Sequence, residues 1–142
     1  MKRRKKIMIV LQNPYERGET PWNGWDLNRW KKEFLNSRTG KRIHYLCDGY
    51  SFRITNADTT LSKTTMHNAH PNYSYVRRRI RNYRPELILA CGNTAHKAVT
   101  SIDAAAYAPV LYMPHPTWRL LGNYGLKIIH REIENILDPS KD

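Results

Sequence analysis

Three short, unbroken apolar runs stand out along the chain: Ile7 to Leu11, Leu87 to Cys91 and Val110 to Met113. Continuous apolar runs, unlike alternating ones, point to strands buried on both faces, as in a parallel sheet covered by helices. Each run stops at residues that break a central strand: Asn13-Pro14, Gly92, and Pro114-His115-Pro116. Ile43 to Cys47 and Ser51 to Thr55 are further candidate strands, the second ending at Asn56. Leu27, Trp30 and Phe34 recur at helical spacing and predict a helix over about 26–37, capped near Gly40. Pro71 marks the start of another, with Tyr75, Ile80 and Tyr83 on one side and Arg77, Arg78, Arg79 and Arg81 along it. Gly92 turns the chain into a helix opening at Asn93, and Leu126, Ile129, Ile133 and Ile136 line a closing amphipathic helix that ends at Leu137. The stretch from Tyr15 to Gly24 reads as a long loop, and loops of that length are usually functional.

Strands alternating with helices predict an α/β fold, a three-layer α/β/α sandwich with a mostly parallel central sheet of about four strands. The length of 142 residues fits one domain over 1–142, since a chain of roughly 150 residues buries about 68–70% of its unfolded surface. Ligands of such sheets bind beyond the carboxyl ends of the strands. The residues leaving those ends are Gln12-Asn13-Pro14-Tyr15, Asn56, Gly92-Asn93 and His115. They offer carboxamides, an imidazole, an aromatic ring and a helix-opening glycine, but no pair of carboxylates for hydrolysis of an ordinary glycoside.

Charge narrows the partner. Lys and Arg number 24 against 12 Asp and Glu, a formal net charge of +12, which favours a polyanion and nucleic acid first. The alternative is that the charge serves solubility alone. A basic arm at 1–6 precedes the first apolar run. That run is too short for the core of a signal peptide, and none in the chain is long enough to span a membrane, so the expectation is an intracellular, cytoplasmic protein. Two cysteines, Cys47 and Cys91, are too few for a disulfide framework, a four-cysteine zinc site or an iron–sulfur cluster. His67 and His70 with Asp58 complete no zinc pattern, and the expectation is no metal. No phosphate-binding or dinucleotide glycine fingerprint occurs.

The four strand-end segments together resemble the uracil-DNA glycosylase superfamily. Gln12-Asn13-Pro14-Tyr15 resembles its first active-site motif, Ile54-Thr55-Asn56 the strand ending in a base-reading asparagine, Leu89-Ala90-Cys91-Gly92-Asn93 the glycine turn that holds DNA phosphate, and His115-Pro116-Thr117 the His-Pro-Ser motif. The resemblance runs from about Ile9 to Leu121 and implies a monofunctional DNA glycosylase that needs no cofactor and acts as a monomer on DNA. It implies that Asn13 orients a water toward the sugar's anomeric carbon and that His115 hydrogen-bonds O2 of the departing pyrimidine. Gln12, Tyr15 and Asn56 would contact the flipped base, with Trp25 or Trp22 as its stacking face. Gly92 and Asn93 would hold phosphate, and Thr117, Trp118, Arg119 and Leu120 form a loop that would enter the minor groove. Arg77, Arg78 and the basic arm are candidate phosphate contacts.

Two departures stand out. Asn13 replaces the aspartate of the best-known branch, as in mismatch-directed branches, and Trp118 stands where a proline is usual. A neutral amide takes no proton, so slower turnover or a better-leaving base is expected. Uracil is the family default, and a mispaired, damaged or 5-substituted pyrimidine, including modified cytosine in foreign DNA, stays open, as does the choice between repair and antiviral defence. The other class is a catalytically silent nucleic-acid-binding protein on the same fold. Each residue also has a plainer reading: Asn13, Asn56 and Gly92 as turn residues, His115 as a loop histidine, the arginines as a solvated helix face.

Overall fold

The computed structural model describes residues 3–11, 15–17, 20–22, 38–57, 73–114 and 121–139. The three apolar runs are strands at the expected positions: β1 spans Lys6–Leu11, β5 Leu87–Cys91 and β6 Val110–Met113. With β4, Ser51–Asn56, they make a sheet in the order β4-β1-β5-β6 in which every neighbouring pair is parallel. β1 is central, and its residues Ile7 to Val10 are wholly buried, which explains an apolar run with no polar alternation.

Side-chain alternation splits that run between two cores. Ile7, Ile9 and Leu11 join Leu87, Leu89 and Cys91 on one face, under α1 (Arg38–Leu46) and α4 (Asn123–Leu137). Met8 and Val10 join Ile88 and Ala90 on the other, under α2 (Tyr73–Tyr83) and α3 (Asn93–Ser101). Ala90, Ala95 and Ala98 meet in this second core, and their small side chains let a helix approach the sheet closely. The result is the expected three-layer α/β/α sandwich.

Four expectations need correction. Residues 43–47 are not a strand: α1 covers Arg38–Leu46, and Ile43, Leu46 and Cys47 are buried at helical spacing, a pattern that five residues are too few to reveal. Gly40 therefore lies inside a helix rather than at a cap, and the helix expected over 26–37 lies outside the described residues. The stretch after Tyr15 is not all loop, because β2 (Tyr15–Arg17) and β3 (Thr20–Trp22) pair antiparallel. On α2 the buried residues are Val76 and Ile80, and on α4 Leu137 rather than Ile136 completes the buried face.

The basic arm is not free. Arg3 pairs with Glu86 at 2.9 Å, Lys5 Nζ donates to the Leu137 carbonyl, and Lys6 Nζ donates to the Tyr83 carbonyl at 3.3 Å. These contacts lie where the strands begin, some six residues of strand, or about 20 Å, from where they end. Arg3, Lys5 and Lys6 are thereby anchored at the amino edge of the sheet.

Candidate functional site at the carboxyl ends of the strands

Strand register decides which residues can meet. Leu11 is paired with Asn56, Val10 with Ala90, and Cys91 with Met113, so the carboxyl ends of β4, β1, β5 and β6 form one level edge. The order β4-β1-β5-β6 reverses direction between β1 and β5, and an open parallel sheet has its binding crevice at such a switch point. The end of β1 at Leu11 borders this crevice on one side and the turn at Gly92 on the other. The edge is fastened on both sides: Ala57 N–H donates to the Leu11 carbonyl at 2.8 Å, and Gly92 N–H to the Met113 carbonyl at 2.9 Å.

Gly92 adopts φ 90° and ψ 171°, a conformation essentially reserved for glycine, and it is the residue before α3. It aims the start of that nine-residue helix at the crevice. Amide N–H groups of the first turn have no partners within the helix, and the helix dipole adds partial positive charge there, an arrangement suited to a phosphate. Asn93, the first helical residue, is exposed.

His96 is the residue that motif reading missed. Its Nε2 lies 3.1 Å from the Ala90 carbonyl oxygen and 3.0 Å from that of Met113. Both partners are acceptors, so this nitrogen carries a hydrogen that the two share. The ring also meets Tyr112 edge to face, at 4.8 Å between centroids and 81° between planes. His96 thus ties the ends of β5 and β6 together beneath the Gly92 turn. No local spacing announces it, because Met113 is seventeen residues away.

The other expected residues divide into three groups. Tyr15 opens β2 directly opposite Trp22, which brings one of the two tryptophans considered for stacking into register with that tyrosine. Asn56 is the last residue of β4, level with Leu11. Gln12, Asn13, Trp25, His115, Thr117, Trp118, Arg119 and Leu120 lie outside the described residues, as do Asp58, His67 and His70. Arg77 and Arg78 are exposed on α2, along the outside of the sandwich rather than on the carboxyl edge. Among the described residues no group of three or more His, Cys, Asp or Glu could hold a metal, and no helix is long and apolar enough to cross a membrane.

Asp48, Glu86, Asp103 and Asp138 follow helices or precede strands at the amino edge of the sheet, opposite the crevice. Both cysteines are buried, and burial pushes the Cys47 thiol up to about 12 and the Cys91 thiol higher still, so neither supplies a thiolate. No curated protein matches the chain. The family model that does match carries the description Uracil DNA glycosylase superfamily and spans residues 1–134, nearly the whole length, and to that superfamily the chain belongs.

Proposed function

We propose that the chain is a monofunctional DNA glycosylase that hydrolyses the N-glycosidic bond of a flipped-out pyrimidine. Membership of the superfamily supports a DNA-glycosylase-like function, and the match over residues 1–134 is the observation that carries the reading. The crevice between β1 and β5, with its glycine turn and helix start, is the kind of site such chemistry needs. Docking spends binding energy on extruding one nucleotide, so that its base is read on its Watson–Crick edge. Asn56 has both a donor pair and an acceptor for that task.

In the reaction, a water held by Asn13 attacks the anomeric carbon as the bond to the base breaks. The base leaves with the bonding electron pair, and the water's proton passes to solvent. His115 donates a hydrogen bond to the pyrimidine oxygen, where negative charge develops only as the bond breaks. The amide of Asn13 steadies the cationic sugar only as a dipole, which favours bases that leave readily. The preferred substrate is therefore uracil in a mismatch or a 5-substituted pyrimidine such as a modified cytosine of foreign DNA, and the product is an abasic site.

The test is release of free base from oligonucleotides bearing uracil, mismatched or modified pyrimidines, and from phage DNAs with modified bases. His115→Ala should lower the rate about 10²–10³-fold, the usual loss for one preplaced donor, while retaining most DNA affinity. Asn13→Ala should behave likewise. Tight DNA binding with no free base from any of these substrates would overturn the enzymatic reading in favour of a silent binder.

A further inference from the structure

The outer side of α2 carries an arginine-lined cleft that the reaction does not use. It has a volume of about 720 Å³ and is bordered by Ser74, Arg77, Arg78, Arg81, Arg84 and Tyr107. No carboxylate lines it. The four guanidinium groups are exposed, and among the described residues none forms an ion pair; Arg78 lies over the ring of Tyr75, at 5.9 Å. This contrasts with Arg3, whose charge is met by Glu86.

Two costs show that these charges are not placed for the helix. Arg77 and Arg81 are four residues apart, and Arg78 and Arg81 three apart, spacings at which like charges repel on a helix surface. Arg84 then occupies the left-handed region, with φ 54°, just after the helix ends, where its N–H donates to the Ile80 carbonyl at 3.0 Å. Glycine serves that position without strain, so an arginine there is a penalty for its side chain to offset.

We propose that this cleft binds the sugar–phosphate backbone of DNA, a second contact separate from the crevice, along a track leading away from it. The track follows from topology. α2 begins after the carboxyl end of β4 and ends before the amino end of β5, so Ser74 is near the reacting edge and Arg84 far from it. From Arg77 to Arg84 the helix advances about 10 Å, enough to meet about three phosphates of one strand at 3.4 Å per nucleotide. Guanidinium forks suit phosphate oxygens, and Tyr107 at the far end offers a ring face to an unstacked base. The DNA identity of the occupant rests on the glycosylase reading; the cleft's demand for a chain of phosphates does not.

The test measures binding of the full chain to a short unmodified duplex, and to its isolated strand, as a function of salt. Neutralising the cleft with Arg77→Gln, Arg81→Gln and Arg84→Gln together should lower the slope of log K against log salt by about 2–3 on the duplex, near 0.9 for each phosphate that the cleft no longer neutralises. A matched neutralisation on the opposite layer, Lys41→Gln, Lys127→Gln and Arg131→Gln, should leave that slope nearly intact. Equal reductions from both triples, or no change from the first, would overturn the proposal. Arg84→Gly supplies a second readout with opposite signs, a higher Tm together with weaker DNA binding. Binding that is unchanged in Arg84→Gly and in the cleft triple, alongside arginine-dependent capture of anionic vesicles, would give the cleft to a membrane surface and refute the DNA assignment. If the cleft triple loses DNA affinity while no substrate yields free base from the native chain, the glycosylase reading fails and the cleft stands.

Discussion

Replacing His96 with alanine tests how the carboxyl edge is held. The substitution removes the one N–H shared by the Ala90 and Met113 carbonyls, leaving Met113 with the Gly92 N–H alone. Because Met113 keeps a main-chain donor, the loss is the net worth of one hydrogen bond, about 0.5–1.5 kcal/mol, rather than the penalty of an orphaned acceptor. The edge contact with Tyr112 would add about 0.5–1.5 kcal/mol between buried rings, but Tyr112 is 48% exposed and the low end applies. The expected loss is about 1–2 kcal/mol, or roughly 3–8 °C in Tm for a chain of this size. Urea denaturation gives the first figure and a thermal scan the second. Amide exchange adds a local readout, since the Gly92 N–H should exchange faster once the Met113 carbonyl is free to move. His96→Gln, which keeps a side-chain N–H, should recover part of the loss, and Tyr112→Phe, which keeps the ring, should cost little. If His96→Ala unfolds within about 0.5 kcal/mol of the native chain, as a neutral surface change would, the histidine is not a clamp and the edge is held without it.

Gly92→Ala should cost about 1–3 kcal/mol in urea denaturation, because φ 90° with ψ 171° excludes a Cβ without strain; an unaltered midpoint would refute the backbone argument. The buried thiols make stability fall on the alkaline side. Cys47 holds its proton to about 12 in the folded chain but loses it near the ordinary 9.0 when unfolded, and Cys91 is shifted in the same sense by burial. The folded state therefore binds more protons above pH 9, and stability, complete below that pH, declines by about 1.4 kcal/mol per unit per thiol as pH rises toward 12. Between pH 9 and 10, below the ordinary tyrosine range, Cys47→Ala should flatten this decline; an equal slope in the variant would rule out the thiol as its source.

Legibility in the sequence followed the reach of the interactions. β1 and β5 could be read because a strand buried on both faces declares itself in consecutive apolar residues, β6 because its apolar run is just as continuous although it is an edge strand with Tyr112 exposed, and the Gly92 turn because glycine and the helix behind it are local. α1 could not, since residues 43–47 fit a short strand as well as a helix until the buried set of Ile43, Leu46 and Cys47 is known. The ends of the strands were legible as a set because a parallel sheet must bring them to one edge, and Asn56 and Gly92 are there. His96 was opaque for the opposite reason: its partners are main-chain carbonyls, which carry no residue signature. Arg77 and Arg78 were legible as charges but not as members of one cleft, because Tyr107 joins them only through the turn after α3.

The central position of β1 has a consequence for how the chain is made. Ile7 pairs with Phe52 on one side and Leu87 on the other, partners synthesised 45 and 80 residues later. At about 5–20 residues per second, the second partner emerges some 4–16 s after β1 does. Until β4 emerges, about 2–9 s on the same scale, a strand of five apolar residues has both hydrogen-bonding edges open, and the edge that β5 will take stays open for the whole interval, which is the signature of a segment prone to aggregate. The lysines and arginines immediately before it then act as gatekeepers, their mutual repulsion keeping nascent copies apart. Only when β5 arrives do Glu86 and the Tyr83 carbonyl become available to take Arg3 and Lys6, so the charges that guard the strand during synthesis become the latch that closes the sheet around it.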